Sequence, residues 1–241
     1  MRTDDAVGPR PVIAIHGIQG TRASWLPVVQ ASRAGLDWLL PDLRGRGSAL
    51  RGRCREDYRL DGFVQDLRAM LRRLAPDQDF VLAGWSLGVS VVLQACLTLL
   101  EDKAPLPSAL VLVSGTACLR RTQWFHAQDE TALLDEIARR ERRLGLIQAA
   151  GRQDVAWTWQ ANCHSDHRDQ LQRIPVPALI IHGEQDEDCP LSHARMLADG
   201  LPCNTLHLLP EAGHGVLGSH AGAIAALMDD FCSAYLPRTR P

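Results

Sequence analysis

The sequence predicts an α/β fold: a mostly parallel sheet of about six strands, helices on both faces and a small helical cap. Three observations lead to this prediction. Short apolar runs of strand length alternate with longer amphipathic segments, as in parallel sheets covered on both faces. Residues 115–173 interrupt that alternation and contain no strand-like run. Between 79 and 100, a G-x-S-x-G motif joins an apolar run of strand length to one of helix length.

The first half of the chain alternates regularly. Apolar runs predict strands at 11–15, 38–40 and 80–83, because each is short, continuous and rich in Val, Ile, Leu or aromatic residues. Apolar residues at helical spacing predict helices at about 24–33, 61–74 and 89–100. A glycine-bracketed turn follows the first strand, and a turn rich in glycine and charge, 41–48, follows the second.

The second half contains the predicted cap. Strands are expected at 109–113, 178–181 and 205–209, and a last helix at about 221–235. Between them, apolar positions at helical spacing predict one helix near 130–148, and a second helical piece near 153–163 contains Trp157 and Trp159. We therefore predict a core made of 1–114 and 174–241, with 115–173 as a helical cap insertion.

Composition limits the function classes. The 241 residues are 46% hydrophobic and 22% charged with a formal net charge of −2, so nucleic acid or an anionic membrane surface is not an expected global partner. The first residues lack the apolar segment of a signal peptide, and no run reaches the length of a membrane span. Seven cysteines without a C-x-x-C motif predict reduced thiols. We expect a cytoplasmic protein.

The motif Gly84-Trp85-Ser86-Leu87-Gly88 points to chemistry. A sharp turn between a strand and a helix would expose the hydroxyl of Ser86 in a strained backbone conformation, and the two glycines leave room for it. The helix that follows supplies free N–H groups, which suit a developing negative charge. These features predict that Ser86 is a nucleophile.

A serine nucleophile needs a base and a group that orients the base. His214 follows the last predicted strand and Asp186 follows the strand before it, so the chain order is Ser, Asp, His. We predict His214 as general base and then general acid, with Asp186 as its partner. Glu184 and Asp188 are close enough in sequence to be alternatives to Asp186.

The turn after the first strand predicts the rest of an oxyanion hole. His16-Gly17-Ile18 stands at the carboxyl end of that strand, where active sites of parallel sheets lie. The backbone N–H of Ile18 is expected to join that of Leu87 in binding the oxyanion.

Together these residues resemble the α/β-hydrolase superfamily. The blocks that carry the resemblance are His16-Gly17, Asp42-Leu43-Arg44-Gly45-Arg46-Gly47-Ser48, the Ser86 motif, and the Asp186 and His214 turns. One departure is Val89, where the family often has a second glycine. Within the superfamily, the chain is most similar to the pimeloyl-[acyl-carrier protein] methyl ester esterase group of biotin synthesis. That group commonly has tryptophan where this chain has Ile18.

The resemblance to this group implies a partner for the cap. Its members use cap arginines to receive an acyl carrier protein, and this chain carries Arg139, Arg142 and Arg143 on one predicted helix. The alternative is a solvated face, in which Asp135 and Glu136 pair with the arginines four residues later.

We therefore expect a serine carboxylesterase that hydrolyses a small acyl ester, without metal or organic cofactor; the resemblance implies the methyl ester of pimeloyl-acyl-carrier protein as substrate. An acyl thioesterase or another hydrolase chemistry on the same triad is one alternative, and a non-catalytic receptor on the same fold is another. The residues expected around the substrate, in addition to the three arginines, are His16, Trp85, Trp124, Phe125 and Trp157.

Overall fold

A computed structural model describes residues 11–73, 79–122, 124–127, 129–146 and 148–236. A single sheet of six strands organises them, and every pair of neighbouring strands is parallel. The order across the sheet is β2-β1-β3-β4-β5-β6. The strands are β1 Pro11–Ile15, β2 Asp37–Leu39, β3 Val81–Trp85, β4 Ala109–Val113, β5 Ala178–Gly183 and β6 Asn204–Leu209.

Helices cover both faces of this sheet. The α-helices in the described ranges are α1 Leu26–Ala31, α2 Leu60–Leu71, α3 Leu87–Glu101, α4 Glu130–Leu144, α5 Arg152–Asn162, α6 Leu191–Gly200, α7 Val216–Ser219 and α8 Ala221–Tyr235. Four 3₁₀ helices join them, at Arg22–Trp25, Arg55–Tyr58, Leu119–Arg121 and Arg168–Arg173. None of the helices within these ranges has both the length and the apolarity needed to cross a bilayer.

Alternate strand residues supply two separate apolar cores. Ile13 and Leu82 pack on one face with α2, α3 and the cap, whereas Val12 and Val81 pack on the other face with α1 and α8. Both sets are buried because a central parallel strand has no solvent-facing side. This explains why the strands were recognisable as continuous apolar runs.

The six-stranded sheet with helices on both faces confirms the predicted fold class, and the sheet is entirely parallel. The predicted bounds of β1, β4 and α8 agree with the structure. The helix expected at 24–33 is divided into a 3₁₀ turn and α1, and the predicted end of α2 at Leu74 lies outside the described residues. Helix α6 was missed, although Pro190 followed by Leu191, Ala194 and Leu197 at intervals of three is a helix signal.

The segment between β4 and β5 holds α4, α5 and two of the 3₁₀ helices, and its described residues contain no strand of the sheet. It is not an independent globule. Leu133, Ile137 and Val155 of the cap belong to the same apolar cluster as Ile18 and Leu87 of the core. The cap therefore shares one apolar core with the turns that follow β1 and β3.

Candidate active site

The turn between β3 and α3 positions Ser86. Its φ of 57° lies in the left-handed region, which costs free energy for a residue with a side chain. A Cβ on Gly84 would approach the backbone of Gly88, and a Cβ on Gly88 would approach the carbonyl of Ile15, each under 3.0 Å. These glycines therefore provide the space that the sequence predicted. The Ser86 side chain is covered, since the residue is only 1% exposed.

Three side chains from the ends of three strands form a hydrogen-bonded chain. Ser86 Oγ lies 2.8 Å from Nε2 of His214, and Nδ1 of the same ring lies 3.0 and 2.9 Å from the two oxygens of Asp186. An ionised carboxylate can only accept hydrogen bonds, so Nδ1 carries the ring proton. Nε2 is then free to accept the proton of the serine hydroxyl.

The position of Asp186 distinguishes it from its two alternatives. Glu184 is exposed, and Asp188 is buried in ion pairs with Arg140 and Arg143. Burial alone would raise the pKa of Asp186, but the adjacent imidazole of His214 and the N–H of Cys189 favour the carboxylate and lower that pKa. The carboxylate thus remains charged beside the imidazole.

Two backbone N–H groups border the same space. Leu87 is the first residue of α3, and an N–H in the first turn of a helix has no acceptor within that helix. Ile18 follows Gly17, where an added Cβ would lie 3.0 Å from the Cβ of Ser86. Among the described residues, no group accepts a hydrogen bond from the N–H of Ile18. The expected role of these two N–H groups in binding an oxyanion stays a prediction.

Comparison with known proteins identifies the family. Residues 12–227 match the alpha/beta hydrolase family. The chain belongs to that family. The finding agrees with the fold and with the resemblance seen in the sequence, and it supports hydrolase activity of the α/β-hydrolase type.

Curated relatives of this hydrolase have several activities. A pimeloyl-[acyl-carrier protein] methyl ester esterase of Nitrosomonas europaea is 28% identical over 84% of this chain and 88% of its own. A putative non-heme chloroperoxidase of Synechocystis is 26% identical over 95% and 93%. A putative carbamate hydrolase of Klebsiella pneumoniae is 26% identical over 100% and 99%.

Solved structures share the fold. An esterase from Exiguobacterium antarcticum superposes with a TM-score of 0.78 at 20% identity, over 95% of this chain and 94% of its own. A meta-cleavage product hydrolase from Pseudomonas fluorescens gives a TM-score of 0.72 at 19% identity, over 95% and 92%. At such identities the likeness concerns the fold alone.

The sequence analysis places His16 beside the substrate, but its ring is engaged with the backbone instead. Its Nε2 accepts a hydrogen bond from the N–H of Leu43 at 3.0 Å, so Nδ1 is protonated and donates to the carbonyl of Gly17 at 2.8 Å. The ring is fully buried, and burial lowers its pKa to about 4. With both nitrogens occupied, this neutral ring joins the turns after β1 and β2.

Trp85 also departs from its predicted place in an acyl pocket. Its side chain belongs to the core on the opposite face of the sheet, together with Trp25 and Val216. The indole N–H donates to the backbone carbonyl of His214 at 3.1 Å, and the two rings are 5.5 Å apart. Trp85 thus supports the imidazole instead of lining the cap side.

The cap aromatics are divided between two locations. Trp124 and Phe125 are buried beneath the guanidinium of Arg140, which lies 5.5 and 5.7 Å from their ring centres. Trp157 packs instead against Tyr58, with ring centres 5.7 Å apart. Trp157 therefore helps to dock α5 on the core, and its predicted contact with substrate has no support in this geometry.

The predicted arginine face of α4 is only partly free. Arg139 and Arg142 are exposed, but Arg143 donates to Asp188 at 2.6 Å. The helical pairing weighed for Arg140 is wrong, because Arg140 turns inward to Asp188. Glu136 instead accepts from the N–H groups of His126 and Ala127, at 2.7 and 3.1 Å.

The sequence interpretation missed Arg46 as part of the site region. Its guanidinium is buried and donates to the carbonyl of Ile18, to Thr158 of α5 and to the carbonyl of Arg44. Burial lowers the pKa of Arg46 to about 10, which leaves the group charged at neutral pH. No local pattern distinguishes this arginine from its exposed neighbours, since its partners lie far away in sequence.

Two side chains after α5 that could bind a metal, Asp166 and His167, have other partners. Asp166 pairs with Arg168 at 2.6 Å, and His167 donates to Gln94 at 2.9 Å. Across the described ranges, no group of three or more His, Cys, Asp or Glu residues is arranged to hold a metal ion.

Proposed function

We propose that this protein is a serine-dependent carboxylic ester hydrolase in which Ser86, His214 and Asp186 form the catalytic triad. The observation that carries the proposal is the continuous hydrogen-bonded path from the serine hydroxyl through the imidazole to a buried carboxylate. A non-catalytic receptor would have no use for this path or for a strained backbone at Ser86.

The reaction follows from the direction of these hydrogen bonds. As Ser86 Oγ attacks the ester carbonyl, its proton moves to Nε2 of His214, and Asp186 stabilises the imidazolium. The oxyanion accepts from the N–H groups of Ile18 and Leu87. His214 then gives its proton to the leaving alcohol. Water attacks the acyl-enzyme with His214 as base and releases the acid.

An acyl chain suits the apolar residues around the nucleophile. Ile18 and Leu87 adjoin Ser86 and belong to one large apolar cluster that also contains Trp124 and Phe125 of the cap, so an aliphatic chain would suit this region. The activity of the Nitrosomonas europaea relative supports a methyl ester of an acyl chain on a carrier protein, such as the pimeloyl ester. The exposed Arg139 and Arg142 of α4 would receive that acidic partner.

A carbamate is the second candidate substrate, because the putative carbamate hydrolase aligns with the whole chain. Carbamates and esters both pass through a tetrahedral oxyanion, so the same triad would act on either. A panel of acyl methyl esters, acyl thioesters and carbamates separates these chemistries by kcat/KM.

Ser86→Ala tests the nucleophile directly. We expect p-nitrophenyl ester hydrolysis to fall by at least about 10³-fold and labelling by a fluorophosphonate probe to disappear, because both need the hydroxyl. Mass spectrometry of the labelled wild type should place the adduct on residue 86. Ser90→Ala is the matched control: Ser90 lies in α3, the helix that follows Ser86, and its hydroxyl donates to the backbone carbonyl of Thr116 at 3.2 Å. An adduct elsewhere would contradict the proposal.

A further inference from the structure

Arg140 occupies a junction between the cap and two turns of the site. Its Nη1 donates to Oε1 of Gln19 at 2.6 Å, and its Nε donates to Oδ1 of Asp188 at 3.2 Å. The guanidinium also lies 5.5 Å from the ring centre of Trp124 and 5.7 Å from that of Phe125. One buried side chain of α4 thus binds the turn after β1 and the turn after β5 at once.

On the first side, Gln19 follows Ile18, whose N–H is assigned to the oxyanion hole. The cap holds Gln19 by two further hydrogen bonds. Its amide nitrogen donates to the carbonyl of Ile137 at 2.9 Å, and its backbone carbonyl accepts from the N–H of Ala150 at 2.8 Å. The conformation of this turn therefore depends on where the cap lies.

On the second side, Asp188 lies two residues beyond Asp186 in the same turn. The backbone between them is fixed, because the N–H of Cys189 donates to Oδ1 of Asp186 at 2.8 Å. Asp188 is buried, and its charge is compensated by Arg140 and by Arg143. Arg140 therefore connects the acid turn of the triad to the oxyanion turn through the cap helix.

The arrangement can exist only when the cap is in place. A buried guanidinium and a buried carboxylate are each costly without a partner, so separating α4 from the core would expose or unpair both. The nucleophile is covered in this arrangement, and a substrate can reach it only if the cover moves. Moving α4 away from the core to admit a substrate would also break the Arg140 contacts.

We propose that Arg140 is a positioning residue that couples closure of the cap to alignment of the oxyanion turn. When the cap closes over a bound ester, Arg140 bridges Gln19 and Asp188 and brings the N–H of Ile18 into place. This inference rests on the proposed hydrolase function. It assigns to Arg140 no contact with the substrate.

Arg140→Met keeps most of the apolar stem of the side chain and removes the guanidinium with all its hydrogen-bond donors. We expect kcat for p-nitrophenyl butyrate to fall by about tenfold or more, with KM changed less than about threefold, because a displaced oxyanion donor affects mainly the transition state. Arg140→Lys should fall between wild type and Arg140→Met, since an ammonium reaches Asp188 but cannot span both partners.

Asp188→Asn is a nearly isosteric second variant and serves if Arg140→Met does not fold. It should lower kcat in the same way. If both variants fold, the double substitution should cost little more than either single one, because the two residues act as a unit. Arg152→Met is the matched control. It removes an exposed cap arginine whose partner, Glu141 at 3.3 Å, also belongs to the cap.

All rates are divided by the concentration of sites titrated with a fluorophosphonate probe. An unchanged kcat per titrated site in Arg140→Met, or in Asp188→Asn, overturns the positioning role and leaves only a contribution to folding. So does an equal loss in Arg152→Met. A wild type that is neither labelled nor active contradicts the proposed function instead, so the two failures are distinguishable.

Discussion

Two histidines near Ser86 have different environments and therefore different chemistry. His214 lies against the carboxylate of Asp186, which stabilises an imidazolium. The His16 side chain hydrogen-bonds only to the backbone at Leu43 and Gly17, and its ring is fully buried. A proton on Nε2 of His16 would break the hydrogen bond from Leu43 and place a second positive charge near the buried guanidinium of Arg46. The same residue type is therefore suited to proton transfer at one position and to neutral structural bonding at the other.

His16 should make the fold sensitive to acid. Its pKa is lowered to about 4 in the folded state, so the unfolded chain binds more protons between pH 6.5 and 4. The stabilisation is present above pH 6.5 and is lost as the pH falls towards 4. This residue should contribute a loss of about 2 kcal/mol in the free energy of unfolding between pH 7 and 5.

Urea titrations at the two pH values measure this loss. The buried His167, His182 and His193 also have lowered pKa values, so the comparison needs a variant. His16→Gln retains an acceptor for the N–H of Leu43 and does not titrate. The pH dependence of its unfolding free energy should be smaller than that of wild type; an identical slope would contradict the assignment.

Val89 of α3 and Gly115, in the turn after β4, lie against each other where the helix meets that turn. Val89 stands where the family often has glycine, and Gly115 lies directly opposite. A Cβ on Gly115 would come under 3.0 Å from the Cβ of Val89 and 3.0 Å from the carbonyl oxygen of Ser86. The space taken by the valine side chain is therefore recovered by the absence of a side chain at Gly115.

Gly115→Ala should destabilise the protein by about 1–3 kcal/mol through overpacking. The double substitution with Val89→Ala should be more stable than the sum of the two single effects, because the smaller side chain removes the clash. Unfolding in urea measures all three variants. Gly222→Ala, in α8 with no atom near the added Cβ, is the control and should be neutral or slightly stabilising. Simple additivity would contradict the proposed contact.

At the scale of the whole molecule, sequence reasoning worked where the signal was local. Buried strands are continuous apolar runs, and the Ser86 turn has a glycine on each side, so both were predictable. The positions of Asp186 and His214 followed from chain order on the fold. Arg46 and Arg140 were not predictable as buried groups, because several of their partners lie between 28 and 121 residues away in the sequence. Sequence spacing on α4 suggested the wrong pairing for the same reason.

The exposed part of α4 should matter only for a large substrate. Replacing Arg139 and Arg142 by glutamate reverses charge on the face proposed to receive an acidic carrier protein. We expect KM for a carrier-bound acyl ester to rise by about tenfold or more, with a strong dependence on salt, and kcat/KM for p-nitrophenyl butyrate to stay unchanged. Steady-state kinetics on the two substrates provides the comparison. Equal values for the carrier-bound ester in both proteins would remove the docking proposal.

The hydrogen bond from Trp85 to the carbonyl of His214 has a consequence for how this protein rests between turnovers. Because Trp85 precedes Ser86 and binds the backbone of His214, the core around Trp85 holds Ser86 and His214 together. The turn of Ile18 and Gln19, which we propose supplies an oxyanion donor, is held instead by the cap. A molecule whose cap has moved away would keep the hydrogen bond between Ser86 and His214. It would lose the proposed position of the N–H of Ile18. This protein could therefore react with an irreversible phosphonylating agent under conditions in which it does not turn over an ester, so the two properties are separable.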